Sequence, residues 1–78
     1  MLTVTITSPE KIVWHGRAES VSSENSRGPF DILSQHANFI TYIENKPVIV
    51  RLGKQEHKFE FKRCVIYTQN NYVSCYTL

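Results

Sequence analysis

The sequence has little of what most catalytic and binding sites are built from. Its three glycines, Gly16, Gly28 and Gly53, stand alone, so no glycine-rich loop is present to hold a phosphate. No serine lies in a G-x-S-x-G motif, and the histidines fit no metal pattern such as C-x-x-C or H-E-x-x-H. We therefore expect no catalytic residue, no metal and no cofactor. One alternative stays open, since folding could bring Cys64, Cys75 and a histidine together around zinc.

Long apolar runs and a leader segment are also absent. No apolar run approaches the roughly 18 residues that a membrane-spanning helix needs, and Met1–Val4 lacks the basic-then-apolar form of a secretory signal. These features predict a chain that stays in the cytoplasm. Its 78 residues predict a single domain over residues 1–78, near the lower size limit for a self-sufficient core.

The charge is small, but its distribution is uneven. The net charge is +2, and six of the nine basic residues lie between residues 46 and 63, where Glu56 and Glu60 alone oppose them. These six are Lys46, Arg51, Lys54, Lys58, Lys62 and Arg63. Bases interleaved with aromatic residues are typical of single-strand nucleic-acid binders. We favour solvated strand edges with the alternate aromatic residues in the core, because the glutamates would repel phosphate. The expected partners therefore include no nucleic acid.

The two cysteines are predicted to lie on one face of a hairpin. A two-residue turn at Asn70–Asn71 would pair Ile66 with Cys75. Cys64 would then lie opposite Thr77, which makes the cysteines diagonal neighbours rather than directly opposed residues. With no sign of secretion, we expect buried free thiols rather than a disulfide.

Short strands separated by turns recur along the chain at intervals of about eight to twelve residues. Leu2–Thr7 alternates apolar and hydroxyl residues, which predicts a half-buried strand. Pro9 ends it, and Gly16 permits a bulge or a close approach in the next strand. Ser22–Arg27 is predicted to be a polar loop. The pattern predicts an all-β fold, a small antiparallel β-sandwich of about eight to ten short strands.

The stretch Gly28–Phe39 joins an apolar run, a short polar segment and a histidine. Its simplest interpretation is a strand, an exposed turn over Ser34–Asn38 and a second strand. A helix is an alternative, because apolar residues between Ile32 and Ile40 also fit helical spacing with Asp31 as a cap. Asp31 and His36 could form a dyad, although Asp31 is better interpreted as a turn residue that bonds nearby backbone amides.

This stretch resembles the glycine-rich loop motif of the epsilon subunit of F-type ATP synthases, roughly G-E-F-G-I-L-P-G-H-A-P-L. The matching positions, without a gap, are Gly28, Phe30, Ile32, Leu33, His36 and Ala37. The departures are Pro29, Asp31, Ser34, Gln35 and Asn38. Nearer the N-terminus, Ser8–Glu10 and Val13–Gly16 resemble the family's T-P-E and F-S-G segments, with Trp14 in the place of phenylalanine.

The resemblance implies a non-catalytic central-stalk subunit of a rotary ATP synthase. In that family the β-sandwich packs on the gamma subunit and rests a loop on the polar loops of the membrane c-ring. By this resemblance the ring-facing loop falls on Gly28–Asn38. We expect His36 to be the polar contact there, with Asp31, Ser34 and Gln35 beside it.

The resemblance also implies the setting of the chain. Membrane association would occur only through the complex, on the cytoplasmic side of the membrane or its organellar equivalent. The family's C-terminal helical hairpin, with its inhibitory and ATP-binding roles, is expected to be missing, as in a short form of the subunit. Two alternatives stay open: a free-standing adaptor or single-stranded nucleic-acid module that uses the basic second half, and an epsilon-like domain that has changed partner.

Overall fold

Nine strands and no helix form the chain in the computed structural model, which describes residues 1–78. The strands are β1 (Leu2–Thr7), β2 (Ile12–Ala18), β3 (Ser20–Asn25), β4 (Gly28–Leu33), β5 (Phe39–Glu44), β6 (Pro47–Leu52), β7 (Gln55–Glu60), β8 (Arg63–Gln69) and β9 (Tyr72–Thr77). The predicted all-β fold is confirmed, and the alternative of a helix between Ile32 and Ile40 is wrong.

Two sheets pack face to face. Sheet A has five strands in the order β2-β1-β9-β8-β5, and sheet B has four in the order β4-β3-β6-β7. Alternate residues point into the space between them, because successive side chains of a strand lie on opposite faces. The buried core consists of Leu2, Val4, Ile6, Ala18, Val21, Ile32, Ile43, Val48, Val50, Cys64, Ile66, Val73 and Cys75. The alternation predicted for β1 is thus confirmed.

One strand pair runs parallel within the predicted antiparallel β-sandwich. β1 pairs with β9 from Thr3 opposite Tyr72 to Thr7 opposite Tyr76, and the other pairs are antiparallel. Turn signals fix only the pairing of strands that follow each other in sequence. Because no turn joins β1 to β9, their relative direction has no local signature.

The polar segment Ser22–Arg27 is mostly strand, so its prediction as a loop is wrong. β3 continues to Asn25, and only Ser26 and Arg27 form the turn into β4. The serines suit the strand because they have partners across it: the Ser23 hydroxyl donates to the carbonyl of Pro47 at 2.8 Å. Composition alone cannot distinguish such a strand from a loop.

The β8–β9 hairpin has the predicted register. Ile66 lies opposite Cys75 and Cys64 opposite Thr77. Both turn residues, Asn70 and Asn71, have positive φ angles of 50° and 64°, which asparagine tolerates better than most residues.

The prediction of free thiols is wrong, because Cys64 and Cys75 form a disulfide. Their Cα atoms lie 6.4 Å apart, inside the range of roughly 4.4 to 6.8 Å that disulfides usually span. The diagonal placement of the two cysteines was predicted correctly. Free thiols were nevertheless expected because the sequence shows no sign of secretion. Because these cysteines are bonded to each other, they do not form the zinc site that the sequence had left as an alternative.

Candidate interaction surfaces

The stretch Gly28–Asn38 runs from one end of the sandwich to the other, so it does not form one loop. Gly28–Leu33 is strand β4, and only residues 34–38 form a loop. The strand pairings place that loop at the same end as the Asn70–Asn71 turn and the Gly53–Lys54 turn, which we name the histidine end. The opposite end, named the proline end, carries the turns at Ser8–Lys11, Ser26–Arg27 and Asn45–Lys46.

His36 is half-buried within the histidine end. Its backbone N–H donates to the carbonyl of Leu33 at 3.1 Å, and its Nδ1 lies 2.7 Å from the carbonyl oxygen of Ala37. A carbonyl can only accept, so Nδ1 carries the proton and Nε2 is left as the acceptor of the neutral ring. The ring also packs on Phe39, with 5.5 Å between the ring centres. The structure therefore gives His36 a fixed orientation and leaves one ring nitrogen for a partner.

The rest of the loop is tied to the neighbouring turn. Gln35 has a positive φ of 65°, and its backbone N–H donates to the side-chain carbonyl of Asn71 at 2.6 Å. The side chains of Ser34 and Gln35 are exposed. The predicted group of Ser34, Gln35 and His36 is therefore brought together on one ordered surface.

Asp31 does not join that group. It lies on β4, on the outer face of sheet B, and accepts a hydrogen bond from the Ser22 hydroxyl. Arg51 continues the chain of contacts: its Nη1 donates to Ser22 Oγ at 3.0 Å and its Nε to Glu56 Oε2 at 3.1 Å. The interpretation of Asp31 as a turn residue bonding backbone amides is wrong, because the residue belongs to a polar row across all four strands of sheet B.

The outer face of sheet A carries a surface that the sequence did not reveal. Its exposed members are Ile40, Tyr42, Tyr67, Tyr72 and Tyr76, and we name it the tyrosine face. Tyrosines were expected to fill the core, whereas Phe59 and Phe61 do pack against it. The signal that was missed is the alternation of side chains between the two faces of a strand. Tyr67 lies between buried Ile66 and Thr68, so it must point outward.

The lysines lie elsewhere, whereas the exposed Arg17 on β2 and Arg63 on β8 lie on the outer face of sheet A. Lys54 precedes β7 and Lys58 lies within it, at the edge of sheet B, while the tyrosine face belongs to sheet A. Three exposed ion pairs, Lys46–Glu24, Arg51–Glu56 and Lys58–Glu60, partly neutralise the basic half. The lysines are thus separate from the rings on which bases could stack, and two arginines are the basic residues that share a face with those rings.

A half-open groove borders strand β5. It has a volume of about 580 Å³ and lies between β5 and the β3–β4 turn, with Asn25, Arg27 and Tyr42 among its lining residues. The Asn25 side chain crosses it and donates to the Thr41 hydroxyl at 3.0 Å.

No cluster of three metal-ligating side chains occurs in the structure, and none of its elements is a helix suited to cross a membrane.

Comparison with known families assigns the chain. The family model described as "ATP synthase, Delta/Epsilon chain, beta-sandwich domain" matches residues 1–77. The chain belongs to this family. The prediction of epsilon-like character is therefore confirmed, and so is the prediction of a non-catalytic chain, because epsilon chains are non-catalytic subunits of ATP synthase.

Curated relatives and solved structures agree with the family. The ATP synthase epsilon chain of Cyanothece sp. is 41% identical over 54 residues, which are 69% of this chain and 39% of that one. The epsilon chain of Gloeothece citriformis is 42% identical over 53 residues, 68% of this chain and 38% of that one. The chain thus matches well under half the length of these relatives.

Two structural neighbours share the fold at low sequence identity. A chain of the central stalk and c-ring structure of Tetrahymena thermophila mitochondrial ATP synthase has a TM-score of 0.82 at 11% identity, covering 99% of this chain and 63% of that one. A chain of the OSCP/F1/c-ring structure of the Euglena gracilis mitochondrial enzyme has a TM-score of 0.89 at 11% identity, covering 97% and 49%. At this identity the likeness concerns the fold alone.

Proposed function

We propose that this chain is a central-stalk subunit of a rotary F-type ATP synthase, linking the gamma subunit to the membrane c-ring. The observation that carries the proposal is the family match over residues 1–77, which covers both sheets of the sandwich. The names of the structural neighbours, from central-stalk and c-ring assemblies, support the same setting. The subunit would thereby couple ion translocation to ATP synthesis without chemistry of its own.

The physical role is that of a stiff spacer. Two sheets with a continuous buried core resist shear, because close-packed interiors deform little. The Cys64–Cys75 disulfide ties two central strands of sheet A together from within the core. A body of this kind can transmit torque between two partners without absorbing it in internal motion.

The tyrosine face is the proposed contact with gamma. Soluble monomers seldom expose so many neighbouring apolar and aromatic residues, and tyrosine is enriched in protein interfaces. Strand register places Tyr67 opposite Ile40 on the same outer surface. A partner surface rich in apolar side chains would bury these rings and leave their hydroxyl groups to hydrogen-bond at the rim.

The c-ring contact is proposed for the histidine end, through Ser34, Gln35 and the free Nε2 of His36. Because Gly28–Asn38 spans both ends, the proline end is the competing surface, with Lys11 and Arg27 exposed there. Asp31 lies on β4 rather than in the loop, so its part in ring attachment is tested separately. An Asp31→Lys variant that attaches normally removes it from the proposal.

Photo-crosslinking distinguishes the two ends. A photoreactive residue at Gln35 in the reconstituted complex should give a product with the c-subunit, while the same residue at Arg27 should not. The reverse pattern would transfer the ring contact to the proline end and leave the subunit assignment intact.

Binding to gamma tests the assignment as a whole. This chain should co-purify with its cognate gamma subunit, and saturating gamma should raise its melting temperature, because a ligand that binds only the folded state stabilises it. Tyr76→Lys should weaken this effect, whereas Gln55→Lys, which adds the same charge on sheet B, should not. No rise in melting temperature with gamma would count against the proposed function.

The proposed location follows from these partners. The chain would be held at the membrane only through the complex, on the cytoplasmic side or the equivalent side of an organelle. Nucleic acid is not among the proposed partners, and a steep loss of oligonucleotide binding with rising salt would be the sign of that other function.

A further inference from the structure

Strand β5 is the one sheet edge of the molecule without a feature that blocks strand addition. The other three edges carry such features. β2 has a bulge at Val13, where the pairing with β1 shifts register. β4 contains Pro29, which has no N–H to donate, and β7 alternates charged residues such as Lys58 and Glu60 along its length.

The edge strand β5 is regular and apolar. It pairs with β8 in unbroken register from Phe39 opposite Thr68 to Glu44 opposite Arg63. It has no proline and no basic residue. On its outer side, Ile40 is 66% exposed and Tyr42 is 47% exposed. A groove of about 580 Å³ borders the strand, and across it the Asn25 side chain bonds the Thr41 hydroxyl, which lies on the inner face, away from Ile40 and Tyr42. An edge of this kind is a template for another strand.

We propose that the free chain self-associates through β5, two copies pairing antiparallel across a two-fold axis that passes beside Thr41. In an antiparallel pair, directly opposed residues lie on the same face of the sheet. The outer faces of both copies can therefore form one surface only if each residue lies opposite a residue of the same face. The two-fold axis then passes beside a residue that lies opposite the same residue of the other copy. Thr41 and Tyr42 are the two central candidates within β5.

The side chains favour the axis at Thr41. That register places Ile40 of each copy opposite Tyr42 of the other on the exposed face, an aromatic and β-branched pairing that stabilises sheets. It places Glu44 opposite Asn38, so no like charges meet. An axis at Tyr42 would instead place Ile40 opposite Glu44, leaving the aliphatic side chain against a carboxylate.

The resulting dimer would have one continuous ten-stranded sheet, with the tyrosine faces of both copies on the same side. Each copy contributes one six-residue strand, so the interface is small and the association weak, micromolar or weaker. The partner is thus a second copy of this chain. The inference concerns the chain alone and does not rest on the proposed function in the synthase.

Sedimentation velocity from micromolar to millimolar concentration tests the association. The wild-type mass should rise with concentration from 9.1 kDa toward twice that value. Tyr42→Lys places a lysine on the free edge and should keep the chain monomeric. Tyr76→Lys makes the same change on the same face, but on interior strand β9, and should leave the association intact. Melting temperatures of both variants verify that they fold.

A cysteine placed at the proposed axis tests the register. Thr41→Cys should form a covalent dimer when a mild oxidant is added, because directly opposed residues of antiparallel strands have Cα atoms only about 4.5 to 5.5 Å apart. Glu44→Cys should not, since this residue would lie opposite Asn38 and its own copy would lie six residues further along the partner strand. The proposal is wrong if the wild-type chain stays monomeric at millimolar concentration. It is also wrong if both lysine variants lose the association equally, or if Thr41→Cys forms no covalent dimer.

Discussion

The backbone N–H of Gln35 and the side-chain carbonyl of Asn71 are joined by a 2.6 Å hydrogen bond between two different loops. The bond holds the loop of residues 34–38 against the β8–β9 turn. The backbone carbonyl of Asn71 also accepts from Thr3 at 2.9 Å, which ties the start of β1 to the same turn. One asparagine therefore organises the histidine end.

Asn71→Gly should lower the free energy of unfolding by about 1 kcal/mol, the usual net value of one hydrogen bond. Glycine keeps the positive φ but removes the amide that Gln35 needs. Asn70→Gly is the matched control, since Asn70 shares the positive φ and makes no such bond. Urea denaturation measures the difference. Equal stability of the two variants would show that the cross-loop bond contributes nothing.

Gly16→Ala should destabilise the sandwich by about 1 to 3 kcal/mol, as overpacking usually does. A Cβ at this position would lie 2.8 Å from the Trp14 ring, so the ring would have to move. In a Trp14→Leu background the same change should cost much less, because the obstructing ring is gone. A thermodynamic cycle of the four chains measures the coupling, and simple additivity would contradict the steric explanation.

Reduction of the Cys64–Cys75 disulfide should lower the free energy of unfolding by about 3 kcal/mol. The two cysteines are 11 residues apart, and closing a loop of that size removes a comparable amount of entropy from the unfolded chain. Denaturant curves with and without reductant measure the loss. Alkylation of the unfolded chain before reduction should modify no thiol, and modification of both cysteines would restore the free-thiol interpretation.

Thr68→Val should stabilise the chain by about 1 kcal/mol. The Thr68 hydroxyl is buried and has no hydrogen-bond partner in the structure, and an unpartnered buried polar group is costly. Valine keeps the shape and removes the hydroxyl. Thr77→Val is the control, because the Thr77 hydroxyl donates to the carbonyl of Thr7 at 3.5 Å. Thermal unfolding of both variants decides whether Thr68 lacks a partner in solution.

Local patterns were enough to predict most of the strands. Alternation in Leu2–Thr7 and the asparagine pair at 70–71 predicted β1 and the register of the last hairpin, because both signals act within a few residues. The β3 segment was missed because its serines find partners only across the sheet. The parallel pairing of β1 and β9 was missed because it joins distant parts of the chain, where no turn chemistry operates.

The candidate surfaces were predicted less well than the fold. The residues themselves predicted a strand, a turn over Ser34–Asn38 and a second strand, which is confirmed. The resemblance instead assigned the ring-facing loop to all of Gly28–Asn38, although the first six of these residues are strand β4. Ser34, Gln35 and His36 lie in the loop between β4 and β5 and Asp31 lies on β4, and the contact of these residues with a c-ring stays a prediction. The tyrosine face depends on the parity of five residues in three strands, which becomes visible only once the strand boundaries are known.

The position of β9 has a consequence for how the molecule assembles. This strand is made last of the nine, yet it lies in the middle of sheet A, between β1 and β8. Until it is in place, β1 and β8 have no neighbour to join them, and the five-stranded layer remains two separate pieces. All nine strands must therefore be synthesised before the interior can close, and the earlier hairpins must wait with their apolar sides open to water.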